Sequence, residues 1–430
     1  MSNITERFDA LSPKQRELLA LQLKLKGLDA LATNTPATRQ SQAGIDAGKR
    51  QSQSATASGG NKRSATMDFS LFFFSHDGSK LTENKYALLL ESARFADANN
   101  FSAVWTPERH FQDFGGLYPN PSVLGAALAM VTKNVQIRAG SVALPLHSPI
   151  RVAEEWSVVD NLSNGRVAIA FASGWHPFDF VLSPGAYTDR KDLMFGNIQI
   201  IKKLWRGETV TFQGVGGRDA EVRTLPRPVQ RELPTWISIS KKPESWVKAG
   251  EIGANVLTAI IKQPLDVLAA KIRLYRAARA EHGHDPDAGR VTVMLHTFVG
   301  EDNHAVKEIV KEPMTRYFRT NIKQFEFQAD LLAEGHAGPA SFDPDNLTDA
   351  DLDVVASYAF ERYFETSLLC GTPDKCSHLI ERLMEVGVSE VACLIDFGVS
   401  LELVMESLTH LNVLRERFSK VTPPNEVSEP

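Results

Sequence analysis

Eight strand-length apolar runs, separated by helical patterns, constrain this chain more than any other feature. They read "DFSLFFF" (68–74), "FSAVWT" (101–106), "VQIRAGSVAL" (135–144), "RVAIAFA" (166–172), "TWISIS" (235–240), "NVLTAII" (255–261), "VTVMLHTFVG" (291–300) and "EVACLIDFG" (390–398). Apolar strands with helices between them call for a parallel sheet covered on both faces, and eight such units close a (β/α)8 TIM barrel. The rival is an open doubly wound sheet. Helical patterns are readable in "ENKYALLLESARFADANN", "IRVAEEWSVVDNLSNG" and "DLMFGNIQIIKKLWRG".

Four further segments flank or interrupt this series. Near the start, "LSPKQRELLALQLKLKG" offers Ser12 as N-cap, Pro13 at the first helical position and Gln15 to complete a capping box. Leu18, Leu21, Leu25 and Leu28 repeat at helical spacing, so an amphipathic helix is expected within 1–28. Residues 29–66 are rich in Ser, Thr, Gln, Ala and Gly and read as a flexible linker, and 421–430 as a flexible tail. The barrel is expected over 67–420, with the stretch from Glu308 to Thr366 too long for one connection and read as an insertion before the last strand.

The 430 residues carry a formal net charge of −5 and no block of Lys and Arg, which argues against nucleic acid and anionic membranes as partners. Cys370, Cys376 and Cys393 are too few and too irregular for a disulfide framework or a zinc site. No run approaches the roughly 18 apolar residues of a membrane span, nor is there a signal-peptide core, so a cytoplasmic location is expected. No metal is expected either. His282 and His284 lack a matching ligand pair, and "DPDNLTDADLDV" has Thr348 and Val354 where a calcium loop needs Gly and Glu. "GVGGRD" (214–219) reads as a turn, not a phosphate loop.

Chemistry in a barrel gathers where strands end. "AVWTPERHFQ" breaks at Pro107 and then presents Glu108, Arg109 and His110. His110 is either a general acid or base at the barrel mouth or a loop histidine capping a carbonyl. The third strand ends in small residues, Gly140, Ser141 and Ala143, which leave room for a flat ligand. The fourth runs into "FASGWHP". The fifth runs into "SISKKPESWVKAG", where Lys241, Lys242 and Ser245 at a helix start form either a phosphate seat with free amides or a solvated surface.

Together these residues describe a site for a planar phosphorylated cofactor, and the chain from Met67 to about Phe418 resembles the luciferase-like flavin monooxygenases, in particular the branch associated with nonribosomal peptide and polyketide synthases. The resemblance rests on "SLFFFS", "WTPERHF", "GSVALPLHSPIRVAEEWSVVDNLSNGRVAIAFASGWHP", "WRGE", "PESWVKAGEIGANVLT", "ERYFETSLLCGTPDKC" and "VACLIDFG". It implies reduced FMN from a separate reductase, dioxygen as co-substrate, and His110 as the histidine beside the flavin ring. Val142 and Ala143 match a non-proline cis peptide beneath the ring. Ser173, Gly174, Arg190, Lys241, Lys242 and Ser245 match cofactor-binding positions. Ser173 and Ala172 replace an arginine and a reactive cysteine of bacterial luciferase, so light emission is not implied. Ala259 stands where related synthase-associated members carry a histidine.

Trp105, Phe111, Trp175, His176 and Phe178 are the expected wall of a dry substrate pocket, with the insertion as its lid. The resemblance implies oxygenation of an acyl or aminoacyl group on a carrier protein in natural product biosynthesis. The helix within 12–28 is a docking candidate, and a homodimer is in keeping with the family. A flavin- or deazaflavin-dependent dehydrogenase on the same barrel, or a non-catalytic synthase interaction module, are the alternative readings.

Overall fold

The computed structural model describes residues 66–74, 84–239, 242–260, 263–333 and 349–419. The N-terminal helix, the linker, the tail and Lys241 lie outside them. In chain order the elements are β1 (Asp68–Phe72), α1 (Ala87–Ala98), β2 (Ala103–Thr106), α2 (Pro121–Val131), β3 (Gln136–Ala143), α3 (Pro149–Ser163) and β4 (Val167–Ala172). Then come α4 (Arg190–Arg206), β5 (Val210–Gln213), β6 (Asp219–Val222), β7 (Thr235–Ser238), α5 (Pro243–Glu251), β8 (Asn255–Ala259) and α6 (Leu265–Glu281). The chain continues through β9 (Val291–Val299), α7 (Asn303–Ala333), α8 (Asp349–Thr366), β10 (Leu369–Gly371), α9 (Pro373–Glu385), β11 (Glu390–Leu394) and α10 (Leu401–Phe418).

Eight parallel strands close on themselves in the order β9-β11-β1-β2-β3-β4-β7-β8, with β8 returning to β9. This is the TIM barrel, and the open doubly wound sheet is excluded by that closing pair. Each of the eight apolar runs contains one barrel strand. Two features are additional: β10 pairs with the far end of β9, and β5 with β6 forms an antiparallel hairpin whose turn is the glycine-rich "GVGG". Helix starts follow local chemistry. Asn120 Oδ1 accepts from the amides of Ser122 and Val123 with Pro121 at the first turn, and Thr372 Oγ1 accepts from Lys375 N ahead of α9. No helix among the described residues is long and apolar enough to cross a membrane.

The insertion is mostly a helix pair. Lys307 at the start of α7 meets Glu361 late in α8 at 2.7 Å, and Arg319 meets Asp349 at 2.6 Å, so the two helices run antiparallel. Between them, 334–348 lie outside the described residues.

Register fixes what fills the barrel. Ser70, Trp105, Arg138, Trp236, Thr292 and Glu390 share the inner face near the strand starts. Glu390 accepts from Arg138 Nη1 at 2.8 Å, Ser102 Oγ at 3.1 Å and Thr292 Oγ1 at 3.2 Å, and Arg138 is held between the rings of Trp105 and Trp236 at 4.7 and 4.5 Å. Burial opposes ionisation of Glu390, but Arg138 and Arg290 outweigh it and hold its pKa at about 2. Trp105, expected in the substrate wall, thus belongs to this buried plug: it is fully covered and its Nε1 donates to Ser70 Oγ at 2.9 Å.

One layer toward the strand ends the two halves of the barrel differ. On β1, β9 and β11 the inner positions are Phe72, Met294, His296 and Leu394, with the buried Ala392 opposite Met294. On β3, β4, β7 and β8 they are Gly140, Ala170, Ala172, Ser238 and Ala259. Ser238 is exposed and Ala172, Ala259 and Met294 are partly exposed, although they face inward, so the small half encloses an open recess at the mouth. Gly140 is required by close approach: a Cβ there would lie 2.6 Å from the Phe72 ring and 3.1 Å from Trp105.

Candidate active site

The end of β2 and the end of β3 are joined by one buried carboxylate. Glu108 Oε1 accepts from His147 Nε2 at 2.5 Å and from His110 Nε2 at 2.8 Å, while Oε2 accepts from Ala143 N at 2.8 Å. Its side chain is 1% exposed. Burial alone would raise the Glu108 pKa, but the hydrogen bonds from His110 and His147 dominate and hold it below the usual carboxylate range. For His147 burial works against the charged form, yet Glu108 prevails and raises its pKa.

His110 therefore sits at the mouth as expected, with its Nε2 fixed by Glu108. The carboxylate and His147 are the parts that sequence reasoning left without a role, although both lie in quoted motifs. The cis peptide implied at Val142 and Ala143 is elsewhere. The non-proline cis bond joins Gly140 and Ser141. The reason lies in the strand: β3 pairs regularly with β4 up to Gly140↔Ala170 and resumes at Val142↔Phe171, leaving Ser141 out of register. Val142 is buried in the sheet, and Ala143 serves through its amide.

The third cluster lies where α4 and α5 begin. Arg190 and Lys191 open α4, and Lys242 precedes α5. Burial first, then Lys242 and Arg190, lower the pKa of Lys191 against the pull of Glu244, so three cations crowd one place with that carboxylate beside them. Arg190 Nη1 donates to Tyr187 O at 2.7 Å, whereas its buried Nε has no hydrogen-bond partner among the described residues. The expected free amides are reduced by one, because Ser245 N donates to Lys242 O at 3.1 Å; the Ser245 hydroxyl remains. Ser173 is partly exposed after β4, and Gly174 has φ +73, a conformation favouring glycine, with the Phe180 ring 2.8 Å from where a Cβ would be.

The rest of the expected wall divides. Phe111, Trp175 and Phe178 are 63%, 41% and 57% exposed. His176 is buried, its Nε2 2.8 Å from Gln112 Nε2, its ring stacked on Phe178 at a 5.9 Å centroid distance. Asp179, which sequence reasoning missed, has its pKa raised to about 6 by burial, against the opposing pull of His110 and Arg109. Tyr317, brought from α7, packs on Phe114 at 5.4 Å and on His296 at 4.3 Å, so the insertion does contribute to the mouth.

Residues 67–390 match the family model described as luciferase-like monooxygenase. The chain is 26% identical over 364 residues to the oxygenase component of flavin-dependent trigonelline monooxygenase from Acinetobacter baylyi, covering 82% of this chain and 96% of that one. It is 22% identical over 338 residues to an alkanal monooxygenase alpha chain of Photorhabdus luminescens, covering 74% and 88%. Among solved structures, the oxygenating constituent of 3,6-diketocamphane monooxygenase from Pseudomonas putida, in complex with FMN, superposes with TM-score 0.66 at 20% identity, over 83% of this chain and all of the other. An F420-dependent secondary alcohol dehydrogenase shares the fold at TM-score 0.59 and 17% identity, over 81% and 99%. With three quarters of its length matched by that family model, this chain belongs to the luciferase-like monooxygenase family.

Proposed function

We propose that this protein is the oxygenase component of a two-component flavin monooxygenase, taking reduced FMN from a separate reductase and oxygenating an organic acceptor at the barrel mouth. The observation that carries this reading is the crowding of Arg190, Lys191 and Lys242 at two helix starts beside an inward recess lined by Ala172, Ser238 and Ala259. Helix N-termini and convergent cations suit a phosphate, and small strand ends suit a flat ring. The Arg190 Nε, without a hydrogen-bond partner among the described residues, fits the same group. Ser173, Gly174, Lys241 and Ser245 complete the proposed cofactor set. Bound reduced FMN supplies the electrons that activate dioxygen.

The chain's own tasks follow from its geometry. Glu108 orients His110 through Nε2 and leaves Nδ1 to hold or pass a proton at the acceptor. Phe111, Trp175 and Phe178 stand at the mouth, where closing over the recess would exclude water. The acceptor class we favour is an acyl or aminoacyl group on a carrier protein in natural product biosynthesis, with the helix within 12–28 as a synthetase-docking segment. This rests on the resemblance of the quoted motifs to synthase-associated members.

The test is rapid mixing of the protein and anaerobically reduced FMN with aerated buffer. Reoxidation slower than that of free reduced FMN, through a spectrally distinct species, is the expected result. Reoxidation at the free-flavin rate, combined with binding of deazaflavin F420, would replace the monooxygenase with the dehydrogenase.

A further inference from the structure

Arg109 points its charge into a box of three rings. Its guanidinium carbon is 4.8 Å from the centre of Phe74, 4.9 Å from Phe114 and 5.3 Å from Trp175. The residue is only 6% exposed, and its buried Nη2 has no hydrogen-bond partner among the described residues. The stem is fixed from behind. Arg109 N donates to Tyr118 O at 2.9 Å, and Gly115, at φ +75, lets the following loop close so tightly that a Cβ would lie 2.9 Å from Arg109 Cγ.

The arginine stays cationic at neutral pH, since burial lowers its pKa only to about 10. Tyr317 and Asp179 act on it from a distance, but it makes no ion pair among the described residues. A desolvated guanidinium is expensive unless its N–H groups meet acceptors, and ring faces answer only its charge. Across Tyr317 lies a second group without a hydrogen-bond partner among the described residues, the buried His296 Nε2, whose ring centroid is 4.3 Å from that of Tyr317. Arg109 also adjoins His110 in sequence and stands on a different strand end from the cation cluster at α4 and α5.

We infer that Arg109 is the anion subsite of the acceptor: the molecule oxygenated here carries a carboxylate that seats on Nη2, with its apolar body against Phe74, Phe114 and Trp175. This rests on reading the mouth as an oxygenase site. A planar carboxylate matches the guanidinium fork, which a lysine would not reproduce. Trp175, the most exposed of the three rings, is the side from which such a group enters. For a carrier-bound acyl group, the carboxylate is the free end remote from the thioester.

The probes are benzoate and benzamide, alike in shape and different in charge, titrated into the full-length protein with and without oxidised FMN and followed by tryptophan fluorescence. Wild type is expected to bind benzoate at least ~10-fold more tightly than benzamide, by the charge-assisted hydrogen bonds the amide lacks. Arg109→Met should abolish the preference and Arg109→Lys should keep a reduced one; circular dichroism checks that both variants fold. Equal affinities in wild type, or no benzoate binding to protein that does bind FMN, would overturn the inference. So would an Arg109→Met variant that keeps the benzoate preference while losing affinity for reduced FMN, which would assign the arginine to the cofactor. If FMN fails to bind but the Arg109-dependent preference persists, the anion subsite stands and the cofactor reading falls.

Discussion

Glu108 and His147 are joined at 2.5 Å across the ends of neighbouring strands, and the same carboxylate oxygen holds His110. The pair has a defined pH window. The depressed pKa of Glu108 contributes stability above its ordinary value of 4.5 that is lost as pH falls through the lowered value. The raised pKa of His147 contributes stability that is complete below 6.5 and lost as pH rises through the raised value. Glu108→Gln should therefore cost about 1.5–3 kcal/mol between these limits, with a smaller difference from wild type on either side. Thermal melts of both proteins from pH 4 to pH 9 check this; a gap that does not vary with pH would contradict it.

His110→Ala removes the imidazole but leaves the cation cluster at α4 and α5 intact. Oxygenation should fall by about 10²–10⁴-fold while FMN affinity changes little. Product yield per FMN oxidised, measured beside FMN titration, separates the two effects. Undiminished product formation would remove His110 from the chemistry.

Lys191→Ala and Lys242→Ala each delete one of the crowded cations. Each should weaken FMN binding by about 10-fold and reduce its salt dependence, while riboflavin, which lacks the phosphate, binds as before. Equal losses for both flavins would place these lysines away from the phosphate.

Glu390→Gln breaks the buried pair with Arg138 inside the barrel. A cost of about 3–5 kcal/mol is expected, a large part of the ~5–15 kcal/mol that holds a domain together. With a folded pKa of about 2, Glu390 contributes fully above its ordinary 4.5 and loses that contribution as pH falls through about 2. The gap in melting temperature between wild type and variant should thus close in acid and stay open at neutral pH.

The barrel was legible in the sequence because most positions on both faces of its strands are buried, so that each strand reads as a mainly apolar run of strand length. The β5–β6 hairpin was not, since its strands have four residues each and no buried position: β5 alternates partly exposed with exposed residues, and β6 is exposed at all but its last. Three-residue β10 is shorter than any run that periodicity can register. "PERH" stood out because polar groups directly follow an apolar strand. Its link to His147 spans 39 residues and depends on β2 lying beside β3, and Lys191 gains meaning only when α4 starts next to α5. The cis bond implied by the resemblance fell two residues late, and the slip at Ser141 that marks its place depends on the pairing of β3 with β4.

The contrast between the bulky inner residues of β1, β9 and β11 and the small ones of β3, β4, β7 and β8 also divides the protein's tolerance for change. Phe72 and Leu394 hold up the barrel, and trimming them leaves cavities that cost stability. Ala172, Ser238 and Ala259 border open space, where a larger side chain displaces solvent or ligand instead of a packed neighbour. A lineage or an engineer seeking a new acceptor can thus reshape one semicircle of the mouth while the other keeps the fold intact.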